Sequence, residues 1–353
     1  MDLHRWFGLM RQFGLTDNQP TYAELIRAYT EKHRHYHSDA HINACLQTIT
    51  ENAMNISIII PAYNEENYIL HCLTRIIDCF KGKMEYEVIV VNNASTDKTQ
   101  LIASKINAVK IINLGKKVTV SSARNVGWKV AKFDNICFID ADVLLTNEWV
   151  DEYISFYEYL ENNRFTITGC RYELSEDPGF IETSWFSKIA ESSETYIDSG
   201  NLITTKETLL KISGFDETLI TGEDVDFCSR AQASSIKMLI NRNFKAHHEG
   251  YPKSLEQFYL RERWHGVGDL KSWRTFLRSK VATFSFLFTF LILLSLLSLP
   301  FNIYLFLLLF SVSLILNFVA VMFRFKTSKI DIFFLHMIYG FARTSSIFHR
   351  KKI

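Results

Sequence analysis

The sequence predicts an α/β protein, a mostly parallel β-sheet flanked by helices, followed by a transmembrane helical hairpin. Two observations carry that expectation. Between about residues 55 and 250, short β-branched runs alternate with amphipathic stretches of helical period, the rhythm of βαβ units. After Lys280, two long apolar runs follow one another with little but Pro300 and its neighbours between them. The chain has 353 residues, 48% of them hydrophobic, and the excess lies in that C-terminal part.

Taken in order, residues 1–52 are polar and expected to be helical. Residues 56–60 are a β-branched run that reads as a first strand, and residues 66–80 read as the helix after it. Strands are expected again at 87–91, 108–114 and 135–139, with a helix at 97–105 and a short apolar strand at 238–240. Parallel strands joined by helices place ligands at the C-terminal strand ends. The apolar runs at 281–299 and 301–323 each come close to the roughly 20 residues that span a bilayer. Asn302 and Asn317 are the main polar interruptions of the second run. Arg274, Arg278 and Lys280 precede the pair, and Arg324, Lys326 and Lys329 follow it, so both flanks are expected on the cytoplasmic side. Residues 330–348, with His336 and Arg343, form a shorter mixed segment, expected to be interfacial or a third membrane segment. His349, Arg350, Lys351 and Lys352 are placed to meet anionic headgroups. Three regions follow: an N-terminal segment (1–52), an α/β domain (53–272) and a membrane region (273–353).

The formal charge of +1 gives no global field favouring nucleic acid, and no nucleic-acid partner is expected. The six cysteines (Cys45, Cys72, Cys79, Cys137, Cys170 and Cys228) are scattered, without zinc-like spacing. Several fall in apolar runs and read as buried reduced thiols of a reducing compartment. The first residues lack the apolar stretch and small-residue cleavage site of a secretory signal.

The chemistry centres on Phe138-Ile139-Asp140-Ala141-Asp142, an apolar strand ending in two carboxylates. Unpaired, they would repel and raise each other's pKa, and a hard divalent cation relieves that cost. An isolated pair of this kind also reads as a helix-capping loop. Three other segments favour the site. Residues 57–66 (SIIIPAYNEE) end a buried strand at Pro61 and place Tyr63 to stack on a base. Residues 88–99 (VIVVNNASTDKT) end a second strand, where Asn92 or Asn93 can read a nucleobase edge and Asp97 can cap the next helix. Residues 121–132 (SSARNVGWKVAK) carry Arg124, a cationic fork suited to a diphosphate or a carboxylate. Glu223, Asp224 and Asp226 open a helix, whose dipole favours acids there; one such carboxylate can also take a proton from an attacking hydroxyl. Gln257, Arg261, Arg263 and Trp264 form a basic aromatic patch before the membrane, suited to a diphosphate, an anionic lipid or an interfacial belt.

In this order, from about residue 55 to 269, these segments resemble the family 2 glycosyltransferases. SIIIPAYNEE is similar to the family's first strand and uridine-side loop, SSARNVGWKVAK to its ARNxG segment, and FIDADV to its DxD motif. VIVVNNASTDKT is similar to its second strand, with Asn92 and Asn93 where an acidic pair is more common. Gly214-Phe215-Asp216-Glu217 and Gly222-Glu223-Asp224-Val225-Asp226-Phe227 look like its acceptor loop and ED motif. The resemblance implies the GT-A fold, a UDP-, GDP- or dTDP-sugar donor, and a divalent cation, Mn²⁺ or Mg²⁺. It implies Pro61, Ala62, Tyr63, Glu65, Asn92, Asn93, Arg124, Asp140 and Ala141 as donor-binding residues. It implies Asp140, Asp142 and His247 at the metal, with His248 a weaker candidate, and Asp224 as the general base. Gly200, Asn201 and Glu223 fall where the acceptor region begins.

The expected function is inverting, metal-dependent transfer of a sugar to a lipid-linked or glycan acceptor near the membrane, in surface polysaccharide or glycolipid synthesis. The expected place is the inner (cytoplasmic) membrane, multi-pass, with the catalytic domain cytoplasmic. A polyprenyl-phosphate glycosyltransferase and an inactive nucleotide-binding scaffold are the alternatives. Residues 29–42 add His33, His35, His37 and His41, with His4 upstream. His37 and His41 share a helix face at i, i+4 spacing. The stretch resembles the start of HD-type metal-dependent phosphohydrolases, but no His-Asp pair follows, so it reads as a remnant or accessory segment.

Overall fold

A computed structural model describes residues 54–190, 195–270 and 273–348 of the chain. The expectations for residues 1–52, including the histidines there, and for residues 349–352 lie outside the described residues.

The first half builds one sheet. Strands β1 (Asn55–Ala62), β2 (Glu85–Asn92), β3 (Val109–Asn113) and β4 (Asn135–Ile139) are parallel. Helices α1 (Ile69–Phe80), α2 (Thr99–Ala103) and α3 (Val120–Lys129) make the crossovers. The expected strands and helices are all present, with bounds moved by a few residues. β5 (Val143–Leu145), α4 (Asn147–Asn162), β6 (Thr166–Gly169), α5 (Ser187–Ala190) and β7 (Asn201–Thr205) follow. Next come α6 (Lys206–Ile212), α7 (Glu223–Ala233), β8 (Lys237–Ile240) and β9 (Ala246–His248). The seven-stranded sheet has the order β3-β2-β1-β4-β7-β6-β8, and β5 pairs with β9 separately. β7 runs antiparallel to both its neighbours, the one reversal in this sheet.

β1 and β4 are central and buried on both faces, which is why they read as continuous β-branched runs. Alternation sends Ile58 and Ile60 into one hydrophobic layer and Ile59 into the other. α3 lies close on the second face. A Cβ on Gly127 would come within 2.3 Å of the Ile59 methyl, so glycine sets the helix–sheet distance.

Beyond the sheet come α8 (Leu255–Asp269), α9 (Trp273–Arg278), α10 (Lys280–Ser298), α11 (Ile303–Phe325) and α12 (Ile330–Ser345). α10 and α11 are long and apolar enough to cross a membrane, with mean hydropathy 2.3 and 2.6, and only 33% and 17% of their apolar windows are buried. A soluble core helix would be mostly covered; here Leu293, Leu297, Leu308 and Phe323 face outward. Several polar side chains of the hairpin, Ser285, Ser295, Ser313 and Asn317 among them, are buried. Asn302 accepts from Leu305 N at 3.0 Å and starts α11, so this interruption is a helix cap. Asn317 donates to Phe333 O at 3.1 Å and meets His336 Nδ1 at 2.8 Å. α12 has 16 residues, about 24 Å at 1.5 Å per residue, short of the roughly 30 Å apolar core of a bilayer. Its buried face (Ile332, Leu335, Tyr339) joins Trp185, Phe186 and Phe258 in a third core that seats the α/β domain on the hairpin.

Candidate active site

The carboxylate pair stands where β4 ends. Asp140 accepts from Arg124 Nη2 at 2.6 Å and from the Tyr172 hydroxyl at 2.8 Å. Arg124, 2% exposed, also donates from Nη1 to Glu223 at 3.0 Å. One guanidinium from α3 therefore ties the end of β4 to the start of α7. Of the two partners expected for this fork, diphosphate and carboxylate, the fold supplies carboxylates. Both oxygens of Asp140 are engaged in the same way, which leaves Asp142 as the acid better placed for a cation. Ala141 between them is buried at 3% exposure and lines the same cavity as both. Gly200 permits this packing: a Cβ there would stand 2.2 Å from the Asp140 carboxylate and from the Tyr172 hydroxyl.

Asp142 faces His248, with Nε2 3.5 Å from the carboxylate. Burial pushes the Asp142 carboxyl up, His248 opposes the shift, and Asp140 adds to it. Glu65 is pushed up to about 8 by burial and by the charges of Asp142, Asp140 and Asp97. With Arg124 committed to Asp140 and Glu223, the crowding of Glu65 and Asp142 is what a hard cation relieves. The buried Nδ1 of His248 has no partner among the described residues. His247, the histidine expected at this place, is turned away: its Nδ1 meets Leu174 O at 2.8 Å, near Glu173. Adjacent residues of β9 point to opposite sides, so only one of the two can reach Asp142. Among the described residues no three His, Cys, Asp or Glu side chains converge into a complete metal cage. The five cysteines among them are all buried thiols, none in a disulfide.

The loops after β1 and β2 form one wall. Pro61, Ala62 and Tyr63 line it, and Lys117 Nζ lies 3.6 Å from the centre of the Tyr63 ring. Asn93 reaches the same wall, but its amide donates to Val118 O at 2.9 Å and accepts from Val118 N at 2.8 Å. Asn92 does not reach it. Buried at 3% exposure, Asn92 donates to Asn113 at 2.9 Å and accepts from Ser95 N at 3.2 Å. The two amides thus hold loops, because the end of a central strand buries them before a ligand could reach their edges. Asp97, expected to cap the next helix, instead precedes its N-cap Lys98; it accepts from Thr99 N at 2.9 Å and from Glu66 N at 3.1 Å and so ties the two loops together.

The opposite wall is the start of α7. Gly222 takes a left-handed conformation (φ 77°), and Glu223 and Asp224 follow in the first turn. Asp224 accepts from Val225 N at 2.8 Å. Burial and the neighbouring Glu223 raise its carboxyl above the usual range. Asp198, from the long β6–β7 connection, is pushed up to about 7 by burial and by Asp224, against Arg171. Asn201, expected near the acceptor, is fully buried in β7, where it accepts from Trp149 at 2.9 Å and donates to Phe244 O at 2.8 Å. It is a core amide.

Glu65, Arg124, Asp140, Asp142, His248, Asp198, Glu223 and Asp224 border one cavity of about 1000 Å³. It runs from Pro61 and Tyr63, past Asp142 and Asp224, to Gln257, Arg261, Trp264 and Arg324 beside the C-terminal apolar helices. Arg263, grouped with that patch in the sequence, does not line it; its guanidinium lies 6.0 Å from the Tyr259 ring. Tyr172, Asp198, Tyr251 and Arg324 also line the cavity and were not singled out from sequence. They come from connections and a membrane helix, where no strand or helix period marks a residue as facing a site.

Residues 57–221 match the family model described as Glycosyl transferase family 2. The chain is 27% identical over 207 residues to the amylovoran biosynthesis glycosyltransferase AmsB of Erwinia amylovora, covering 53% of this chain and 67% of that protein. It is 26% identical over 187 residues to the glycosyltransferase AglE of Haloferax volcanii, covering 50% and 60%. These alignments thus span about two thirds or less of the relatives' lengths. Among solved structures, the mannosyltransferase PcManGT from Pyrobaculum calidifontis, in complex with GDP-Man and Mn²⁺, matches with a TM-score of 0.57 at 12% identity, over 98% of this chain and 99% of that one. At that identity the likeness is one of fold.

Proposed function

The chain is an enzyme carrying a glycosyltransferase family 2 domain over residues 57–221, and from that premise we propose that it performs an inverting, metal-dependent sugar transfer. The donor is a nucleotide sugar, and the acceptor is lipid-linked or lies close to the membrane. The observation that carries this reading is the placement of Asp142, His248 and Glu65 in the same cavity as Asp224. In that arrangement Asp142 and His248 would hold a divalent cation, with Glu65 close by. When bound, the cation offsets the charge of the departing nucleoside diphosphate. Tyr63 and the Pro61–Ala62 backbone receive the nucleoside, since the Asn92 and Asn93 amides are engaged elsewhere. Asp224 takes the proton of the acceptor hydroxyl as its oxygen attacks the anomeric carbon. The bond to the diphosphate breaks on the far side, so the configuration inverts. Arg124 holds Asp140 and Glu223 in register, so the strand end and the helix carrying the base keep one geometry.

The hairpin of α10 and α11 supports anchorage in a membrane with both basic flanks on the cytoplasmic side, where nucleotide sugars are made. Calorimetric titration of the detergent-solubilised chain with UDP, GDP and dTDP, with and without Mn²⁺, tests the reading. Metal-dependent binding of one nucleotide, lost in Asp142→Ala, is the expected result. Binding indifferent to metal, or none by a folded sample, would overturn it.

A further inference from the structure

The cavity does not end at the base. Its far end is walled by three arginines from three helices: Arg261 of α8, Arg324 of α11 and Arg343 of α12. Two of these have their charge matched inside the protein. Glu262, nearly fully buried, accepts from Arg261 at 2.6 Å and from Arg343 at 2.9 Å, and Arg343 also meets Asp269 at 3.1 Å. Arg324 is different. Among the described residues it makes no ion pair. Its guanidinium lies 5.1, 5.0 and 4.5 Å from the ring centres of Trp185, Phe325 and Tyr339. Rings hold a guanidinium in place without neutralising it, so its hydrogen-bond donors stay available to an anion.

Its place along the chain narrows what the anion is. Arg324 falls in the last turn of α11, next to Lys326, at the end of a helix long enough to span a bilayer. A ligand held there has its anionic group at the level of the headgroups, and any apolar tail can run along the uncovered Leu and Phe side chains of the hairpin. The same cavity contains Asp224, which serves a hydroxyl nucleophile; a phosphate attacking through its own oxygen needs no such base.

We propose that Arg324 binds the phosphate or diphosphate of a lipid-linked saccharide, which is the acceptor, and holds its sugar hydroxyl toward Asp224. This rests on the transfer reading above and names its acceptor class. The phosphate is then a handle, and the sugar is the part that reacts.

The test is equilibrium binding to the full chain in phosphatidylcholine nanodiscs. The probes are geranylgeranyl diphosphate, geranylgeraniol and inorganic pyrophosphate, with UDP, GDP and dTDP in the presence of Mn²⁺ read on the same samples. Geranylgeranyl diphosphate is expected to bind at least tenfold more tightly than either fragment. Arg324→Ala should weaken it about tenfold, and Arg324→Lys should restore part of the loss. Retained nucleotide binding in both variants shows that they are folded. Equal binding of pyrophosphate alone would make this a free-phosphate site. Displacement by phosphatidylglycerol added to the disc would make it a general headgroup site. Either outcome, or indifference to Arg324→Ala, overturns the proposal and leaves the transfer reading standing if nucleotide binding persists. Failure of nucleotide binding in the unmodified chain sinks that reading instead.

Discussion

Asp224 is a carboxyl whose surroundings favour its protonated form, and that has a measurable consequence. Burial and Glu223 raise it above the ordinary carboxylate range. A base must be ionised to act, so kcat/KM is expected to be lost at acid pH and to rise along a limb displaced above that range. Asp224→Asn should lower transfer by at least about 100-fold while nucleotide binding changes little. An equal fall in nucleotide binding would make Asp224 a binding residue. Asp198 makes a separate prediction, about stability. Its folded pKa is raised to about 7, so between roughly pH 4 and 7 the folded chain keeps a proton that the unfolded chain has released. Stability from this group therefore falls as pH rises through that window. Asp198→Asn should flatten the fall in urea midpoints measured from pH 4.5 to 7.5; an unchanged slope would show that Arg171 fully compensates the charge.

At the scale of elements, two helices are positioned by contacts with little tolerance. α3 lies so near the sheet that Gly127→Ala would drive a methyl into the Ile59 branch, 2.3 Å from its Cγ2. Ile59 is β-branched and buried between strands, so it cannot swing aside. The cost is expected to be about 1–3 kcal/mol, as for other overpacked cores, read as a lower urea midpoint with unchanged m. The same helix carries Arg124, so the variant should also lose activity at temperatures where it remains folded. α8 is held to α12 by Glu262, which faces Arg261 and Arg343 at once. Glu262→Gln leaves those cations short of a countercharge, and a loss of about 3–5 kcal/mol is the scale for breaking such a buried pair. A shift in thermal midpoint no larger than that of a surface Glu→Gln control would rule this out.

Over the whole molecule, the α/β domain and the C-terminal helices share a wall of the same cavity. Trp185 and Phe186 from the β6–β7 connection pack with Phe258, Val321 and Tyr339, and Ser184 donates to Asp331 at 2.6 Å. On the proposed reading, the acceptor end of the cavity would lie against the bilayer, which suits an acceptor that cannot leave it. If α10 and α11 span a membrane, the chain should stay with vesicles after a carbonate wash. Residues on both flanks, for example Lys271 and Lys329, should label from the same side. Release by the wash would mean that the apolar faces are covered by protein.

The alternating strands and helices, the acidic strand end and the two long apolar helices were legible in the sequence because each depends on local periodicity and composition. Asp140, Asp142 and Asp224 could be picked out for the same reason, since they follow a strand or open a helix, and Arg124 through the motif that carries it. Direction and partnership were not legible. Which histidine of β9 meets Asp142 depends on the strand's facing, and Asn92 and Asn201 lose their polar edges to neighbours distant in the chain. That β7 runs against its neighbours, and that Arg324 of the apolar helix α11 joins the cavity of Asp224, followed from packing between segments far apart in sequence. Burial and pairing of this kind arise only when distant surfaces close on one another, and no spacing along the chain encodes them.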